Sequence, residues 1–323
     1  MPALSQTRAY LALFLVAALW GSYPAVTKLA LVDLPPFVLA AVRCVLGSAF
    51  LGMLLLRRGL RDLRALTPGD LKDFAFLGFC GILISTTFTY VAIYLTTASN
   101  AVILQASTPV IVAVGARFYL GERLRPIQWL GGAVSAAGMV LVVTRGQWTA
   151  LQLSNLHAGD FIVIFSLIGW SAYTIYGKRV LGVHSPALAT TVSYMLGTLM
   201  LIPLAVATLP LFPPPRFASA TAWAVVLYQA ILGAVAHVWW YEGVRAVGPS
   251  QSAIFMNVQP VVGVVLAAAL LGETIGAAQV VGGIGVLLGV ALTTRQKRKA
   301  GVERPPHPPL SPRGGEDKGE GAG

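Results

Sequence analysis

Long apolar stretches separated by short polar loops dominate the chain. Ten such stretches can be distinguished, each close to the length that a helix needs to cross the hydrocarbon core of a bilayer. They run approximately over Tyr10–Ala30, Phe37–Leu56, Phe74–Leu95, Ala98–Leu120, Ile127–Val143, Gly159–Tyr176, Ala187–Leu209, Ala222–Val244, Ser250–Leu271 and Gly276–Leu292. The pattern predicts an all-α membrane protein with ten transmembrane helices.

The composition agrees with a membrane protein rather than a soluble one. The 323 residues are 56% hydrophobic and 11% charged, with a mean hydropathy of +0.74, whereas an ordinary soluble domain is about 25% charged. The net charge of +11 comes mainly from Lys and Arg in short loops and the C-terminal tail, so it does not indicate nucleic-acid binding. Cys44 and Cys80 lie inside apolar segments and are expected to pack there without a disulfide.

One long stretch occurs twice. Ala101–Glu122 and Ser252–Glu273 each carry a proline inside an apolar run, and Leu-Gly-Glu follows it at the same distance. Shifted by about 150 residues, other positions match as well. The matching pairs are Trp20 and Trp170, Tyr23 and Tyr173, Lys28 and Lys178, Tyr90 and Tyr241, and Gly131 and Gly282. We therefore expect two five-helix repeats, over residues 8–144 and 158–294, followed by a disordered cytoplasmic tail over residues 295–323.

The prolines and glutamates of this stretch carry structural expectations. Pro109 and Pro260 each remove a helical donor and free the carbonyl four residues earlier, which in hydrocarbon needs a partner. The freed carbonyls are those of Gln105 and Met256. The glutamates that end the two copies, at 122 and 273, are expected to cap or anchor the helices that follow them, the fifth and the tenth.

The distribution of basic residues predicts the orientation. They concentrate in loops on the side of the N-terminus, while the opposite side holds only Lys28, Arg145 and Arg216. The positive-inside rule then places both termini in the cytoplasm. Because five spans is an odd number, the second repeat must be inverted relative to the first, as in many secondary transporters.

An ordered set of short segments resembles a known family. The segments are LWGSYPAVTK, AVRCVLGSAF, YVAIYLTTASNAVILQASTPV with LGERL, WLGGAVSAAGMVLV, and WYEGVRAVGPSQSAIFMNVQPV with LGE. Together they resemble the EamA-type, ten-helix members of the drug/metabolite transporter superfamily over nearly the whole chain. The resemblance implies gradient-driven transport of a small metabolite by alternating access, often as export, in a bacterial inner membrane. A departure from symmetry is that Arg43 corresponds to Ser193 in the second half.

Aromatic residues in the first and sixth segments are candidates for a substrate cavity. Trp20 and Tyr23 share one helix face, and Trp170 and Tyr173 repeat the spacing. We hypothesise that both faces enclose substrate, together with Tyr90; the alternative is aromatic packing or an interface belt.

Arg43 lies within an apolar segment, about two turns from its start. A charge at this depth is costly, so the side chain should face the interior of the bundle. It can bind an anionic group of the substrate, or it can be a structural contact to helix-end carbonyls.

His237 lies near the middle of the eighth segment, with Trp240 and Tyr241 on the same face. Imidazole titrates near neutral pH, so His237 is the candidate for proton coupling. The alternative is a neutral histidine that is hydrogen-bonded to a neighbouring helix.

Polar side chains precede both prolines near mid-depth. They are Gln105, Thr108, Asn257 and Gln259. Interhelical hydrogen bonds contribute only about 1 kcal/mol each in a membrane, so contact with substrate is an equal explanation.

The motifs that are absent from the sequence narrow the function. There is no G-x-x-x-x-G-K-[ST] loop and no H-E-x-x-H motif, so we expect no ATP-driven pumping, no metal, no cofactor and no enzymatic activity. The leading interpretation is a secondary active transporter, an exporter, of a small organic metabolite such as an amino acid, with the bilayer and protons as further partners. Two alternatives stay open, namely a multipass membrane enzyme acting on a lipid or lipid-linked substrate, and a passive channel.

Overall fold

A computed structural model describes residues 6–57, 63, 65–119, 126–144 and 157–293. All repetitive structure in these ranges is helical. The α-helices are α1 (Gln6–Leu31), α2 (Pro36–Arg57), α3 (Pro68–Gly78), α4 (Thr87–Leu95), α5 (Ala98–Gln105), α6 (Thr108–Tyr119), α7 (Pro126–Thr144), α8 (Ala158–Val180), α9 (Pro186–Ala207), α10 (Ala220–Val247), α11 (Pro249–Ile254), α12 (Val258–Leu271) and α13 (Ala277–Thr293). A π-helical turn, Phe79–Thr86, joins α3 to α4, and 3-10 turns cover Leu209–Leu211 and Phe255–Asn257. Glu122 and the tail after residue 293 lie outside the described residues.

The helices confirm an all-α, ten-helix membrane protein. Eight helical runs are long and apolar enough to cross a bilayer, and the shorter apolar helices Trp129–Val142 and Ala277–Leu292 account for the remaining two. Some helices extend beyond the predicted apolar segments. α8 continues to Val180 and α10 to Val247, with Lys178 and Arg245 in their last turns, where cations interact favourably with helix carbonyls.

Three of the spans are interrupted at polar residues. In the third span the hydroxyls of Thr86 and Thr87, where the π-helical turn meets α4, donate to carbonyls five residues earlier, each at 3.0 Å. In the fourth span the chain breaks between α5 and α6, and the Thr108 hydroxyl donates to the freed Gln105 carbonyl at 2.5 Å. The prediction that this carbonyl needs a partner is confirmed. The ninth span breaks at the 3-10 turn before Pro260.

Contacts between the halves are reciprocal. A side chain added at Gly138 would meet the Gly282 carbonyl, and one added at Gly289 would meet the Gly131 carbonyl. The hydroxyls of Ser48 and Thr198 lie 3.0 Å apart, and these positions correspond under the same shift. Helix contacts follow the same rule, since α1 packs on α10 and α12 while α8 packs on α4 and α6. Reciprocal pairs of this kind are those that a two-fold axis produces.

Two polar clusters define the ends of the bundle. At one, called here the Asp160 end, the Asp160 carboxylate accepts hydrogen bonds from the Thr96 hydroxyl and the Asn100 amide. At the other, called the Lys178 end, the Lys178 ammonium donates to the carbonyls of Val244 and Arg245.

Glu273 corrects an expectation. Its carboxylate accepts from the backbone N–H groups of Ala98 and Ser99, at 2.9 and 3.0 Å, and from the Ser99 hydroxyl at 2.7 Å. It therefore caps α5 in the first half rather than α13, the helix that follows it in sequence. The first N–H groups of a helix have no partner within the helix, and the fold places those of α5 beside this carboxylate.

Candidate functional site

A cavity lies between the two halves, near the middle of the long helices. Its volume is about 100 Å³, whereas pockets for drug-sized molecules hold roughly 300–1,000 Å³. A substrate must therefore be small, or the cavity must widen to admit it. The lining residues are Trp20, Tyr23, Pro24, Arg43, Ser85, Thr86, Thr89, Tyr90, Gln105, Thr108, Leu167, Trp170, His237 and Gln259.

The structure brings together most of the residues that the sequence singled out. Those that line the cavity are Trp20, Tyr23, Arg43, Tyr90, Gln105, Trp170, His237 and Gln259. The other four, Tyr173, Trp240, Tyr241 and Asn257, are not among the lining residues. Tyr90 lies about one to two turns from the end of α4 and Arg43 about two turns from the start of α2, so the cavity extends towards the Asp160 end.

Three rings form the wall of the cavity that faces the Lys178 end, and a fourth ring packs behind them. Trp20 and Trp170 meet edge to face, with ring centroids 5.0 Å apart. The His237 ring lies 5.1 Å from Trp20 and 5.7 Å from Trp170. Trp240 packs behind them, 5.5 Å from Trp170, and is fully buried. These separations are those of favourable aromatic pairs. We call Trp20, Trp170, His237 and Trp240 the aromatic layer.

Behind the aromatic layer the helices close together. Tyr173 and Tyr241 stack with centroids 4.6 Å apart, and the Tyr241 hydroxyl donates to the Tyr173 carbonyl at 3.1 Å. A Cβ added at Gly177 would lie 2.7 Å from the Tyr241 ring, so α8 and α10 approach closely because glycine stands there. These tyrosines pack between the aromatic layer and the Lys178 end.

The amides near the prolines are placed differently from one another. Gln259 lines the cavity, and its amide nitrogen lies 2.7 Å from the Met256 sulfur. The side-chain oxygen of Asn257 is buried, and no hydrogen-bond partner for it is found in the described part of the chain.

Within the described ranges, no group of three or more His, Cys, Asp or Glu side chains is arranged to hold a metal ion.

Arg43 brings a permanent positive charge into the cavity wall. Its side chain is 2% exposed, and the guanidinium carbon lies 5.3 Å from the centre of the Tyr90 ring, a cation–π distance. Neither Nε nor Nη1 has a hydrogen-bond partner among the described residues, so these atoms make none of the proposed contacts to helix-end carbonyls. A buried cation whose N–H groups are unused is costly, and an anion in the cavity would satisfy it.

A hydrogen-bond chain holds Tyr90 from behind. The Tyr90 hydroxyl donates to the Gln229 side-chain oxygen at 2.5 Å, and the Gln229 nitrogen donates to the Thr27 hydroxyl at 2.8 Å. All three side chains are almost completely buried. The chain links α4, α10 and α1 and fixes the ring against which Arg43 lies.

Sequence reasoning missed several of these residues. Gln229 stands alone in the apolar run of α10, which is the signal that could have found it. Ser85, Thr86 and Thr89 form a run of hydroxyls with Tyr90 in an otherwise apolar segment. Such a concentration of polar groups within a span is itself a sign of a cavity, because lipid-facing positions disfavour it.

His237 lies at the boundary between the cavity and the aromatic layer. Its Nδ1 lies 2.8 Å from the Gly233 carbonyl, one turn earlier in α10, so it bonds to its own helix rather than to a neighbour. A carbonyl can only accept, so Nδ1 carries the hydrogen and Nε2 of the neutral ring is an acceptor. Nε2 is buried without a hydrogen-bond partner in the part of the chain that the structure describes.

Comparisons with known proteins agree with this architecture. The model of the EamA-like transporter family matches residues 7–144 and 157–295. A solved crystal structure superimposes with a TM-score of 0.63 at 22% identity, covering 90% of this chain and 97% of that one, which supports the fold alone.

Relatives of similar length carry related names. An uncharacterized transporter of Archaeoglobus fulgidus is 28% identical over 91% of this chain and 99% of its own. The uncharacterized transporter YetK of Bacillus subtilis is 29% identical over 86% of each chain. The uncharacterized inner membrane transporter YedA of Escherichia coli K12 is 27% identical over 82% of this chain and 83% of its own. With the family model covering both halves, the chain belongs to the EamA-like transporter family and is a multipass membrane transporter.

Proposed function

We propose that this protein is a secondary active transporter that exports a small organic metabolite with a carboxylate group, such as an amino acid. One observation carries the proposal. Arg43 lies in the wall of a cavity between the two halves, with buried N–H groups that have no partner among the described residues. A carboxylate is the small anion whose planar shape suits the guanidinium group.

The remaining wall suits the rest of such a molecule. The rings of Trp20 and Trp170 offer an apolar, polarisable surface for a side chain. Hydroxyls and an amide, from Thr86, Thr89 and Gln105, offer partners for an amino group. One fixed cation and no carboxylate among the lining residues favour substrates with a single negative group over strongly charged ones.

Transport would proceed by alternating access between two inverted repeats, over residues 8–144 and 158–294. The reciprocal contacts of the α7–α13 pair and of Ser48 with Thr198 support this arrangement. With the basic loops and both termini in the cytoplasm, the Asp160 end faces outwards. The cavity then opens towards the outside of the inner membrane, and the aromatic layer with Tyr173 and Tyr241 separates it from the cytoplasm.

His237 is the candidate for coupling to protons. Its Nε2 can accept a proton without loss of the bond from Nδ1 to Gly233. A proton bound there would lie close to Arg43, whose Nη1 would be 3.2 Å from a Cβ at Gly233, so binding of a carboxylate between them would favour protonation. We expect a pH gradient to drive flux in the wild type and His237→Gln to abolish that dependence; flux that ignores both the gradient and the substitution would remove this role.

The proposal is tested in reconstituted vesicles with a panel of radiolabelled amino acids and other small carboxylates. Saturable counterflow of one compound identifies the substrate. Arg43→Gln should then raise KM about 10- to 100-fold, since a hydrogen bond to a charged group contributes about 1.5–3 kcal/mol. Arg216→Gln is the matched control, because Arg216 is 66% exposed and pairs with Asp33 away from the cavity. An unchanged KM in Arg43→Gln, or flux limited to neutral and cationic compounds, would contradict the proposal.

A further inference from the structure

Gln229 stands one step behind the cavity wall and has no role in the function proposed above. It lies on α10, is fully buried, and both ends of its amide are used. The oxygen accepts from Tyr90 at 2.5 Å and the nitrogen donates to Thr27 at 2.8 Å. It does not line the cavity, so it does not touch a bound molecule directly.

The position of the Tyr90 oxygen determines whether the Arg43 guanidinium contacts the oxygen of Tyr90 or its ring face. A phenol oxygen is an acceptor as well as a donor, and guanidinium is a strong donor. The bond to Gln229 draws this oxygen towards α10, so Tyr90 presents its ring face to Arg43, at 5.3 Å, rather than its oxygen. Nε and Nη1 of Arg43 accordingly have no hydrogen-bond partner within the described ranges.

Two further phenols, Tyr194 and Tyr23, approach this charge, but Nε and Nη1 of Arg43 bond to neither of them. A Cβ at Gly233 would meet both the Tyr23 hydroxyl and Arg43 Nη1, so a second phenol lies close by. The Tyr23 oxygen is nevertheless buried without a hydrogen-bond partner in the described structure, so it does not bond to Arg43 either. The ion pairs found among the described residues, His184 with Asp70 and Arg216 with Asp33, do not involve Arg43.

We propose that Gln229 is a positioning residue that holds the Tyr90 oxygen away from Arg43 and so keeps the guanidinium available for an anion. It thereby sets the preference of the cavity for anionic ligands. The inference rests on the proposed function only in taking Arg43 as the group that receives the anion. Without the Gln229 bond, the Tyr90 oxygen would turn to the Arg43 guanidinium, which is a stronger donor than the neighbouring Thr27 hydroxyl, and would occupy it.

The test does not require the natural substrate. Purified full-length protein is treated with phenylglyoxal, which modifies arginine side chains, and labelling of Arg43 is followed by mass spectrometry of its peptide. Gln229→Met keeps the length of the side chain and removes both hydrogen bonds. We expect Arg43 to be labelled several-fold more slowly than in the wild type, because a guanidinium that is bonded to a phenol oxygen reacts less readily.

A second substitution separates this mechanism from a packing effect. In Gln229→Met combined with Tyr90→Phe, the oxygen that would occupy Arg43 is absent, so labelling should return to the wild-type rate. Thr27→Val is the matched control, since it removes the other bond of Gln229 and leaves the bond from Tyr90 in place; it should label like the wild type. Gln229→Asn is too short to reach both partners and should repeat the slowing if the Met variant folds poorly.

Protection by benzoate measures the preference for anions in the same assay. Benzoate should slow the labelling of wild-type Arg43 at concentrations at least several-fold lower than in Gln229→Met, and the added Tyr90→Phe should restore protection. Equal labelling in all variants, absence of labelling in the wild type, or failure of Tyr90→Phe to rescue would each overturn the inference. Transport by Arg43→Gln tests the proposed function separately, so the two can fail independently.

Discussion

The two halves of the protein place different side chains at corresponding positions around the central aromatic rings. In the first half these are Thr86, Thr89 and Tyr90, and in the second half they are His237, Trp240 and Tyr241. All three side chains of the first set line the cavity, whereas only His237 of the second set does, because Trp240 and Tyr241 pack against Trp20, Trp170 and Tyr173. The difference between Thr89 and Trp240 follows from side-chain volume, because the small threonine leaves space beside it and the indole does not.

The two halves also differ in charge at one pair of corresponding positions, 43 and 193. Arg43 has unused N–H groups in the cavity wall, whereas the corresponding Ser193 donates to the Ala189 carbonyl of its own helix at 2.5 Å. Ser193 also packs tightly, since a Cβ at Gly78 would meet its carbonyl. In the proposed function, anion binding therefore belongs to the first half, because only that half places an arginine in the cavity wall.

The largest expected effect comes from placing a charge at position 193, which corresponds to Arg43 in the second half. Ser193→Arg would bury an unpaired cation in a site 1% exposed, at a cost of several kcal/mol, and we expect little or no folded protein. Ser193→Ala, which loses one local hydrogen bond, should fold normally. The measurement is the monodisperse fraction in detergent by size-exclusion chromatography. A well-folded Ser193→Arg would show that the second half can accept a charge at this position and that the contrast between Arg43 and Ser193 is wrong.

A smaller effect is expected when a cavity-lining residue of the first half is replaced by the bulky residue that the second half has at the corresponding position. Thr89→Trp places an indole where the second half has Trp240, and transport should fall about 100-fold because the ring takes the space of the substrate. The protein should remain folded, since the indole enters existing space. Leu199→Trp, at a position 66% exposed towards the bilayer, is the control. Initial rates in vesicles decide, and transport at the wild-type rate would place the substrate elsewhere.

The smallest effect concerns the two corresponding tyrosines. Tyr241→Phe removes the bond to the Tyr173 carbonyl and should lower the free energy of unfolding by about 1 kcal/mol with KM unchanged. Tyr90→Phe should instead alter KM, because Tyr90 lines the cavity. Thermal unfolding and counterflow of the same preparations give both values, with the partly exposed Tyr10→Phe as control. A change of KM in Tyr241→Phe would indicate that the stacked tyrosines also contact substrate.

Much of the candidate site could be predicted from the sequence because polar and aromatic residues stand out within apolar spans. Trp20, Trp170 and His237 were found in this way, and the structure brings them to one cavity. Gln229 was missed although it is equally conspicuous, since no repeated motif drew attention to it. Trp240 and Tyr241 share a helix face with His237 but lie behind the cavity, because a helix face is wider than the part of it that borders one space.

The sequence by itself determined the class of the protein and the approximate position of its spans. Crossing a bilayer requires each helix to satisfy its own backbone over a fixed thickness, and that requirement is local and visible in hydropathy. Tertiary structure alone decided which helix Glu273 caps, where the third span takes a π-helical turn, and which residues of the two corresponding sets line the cavity. These features depend on which volumes and hydrogen-bonding groups meet across helices that are distant in the chain, and a local pattern does not contain that information.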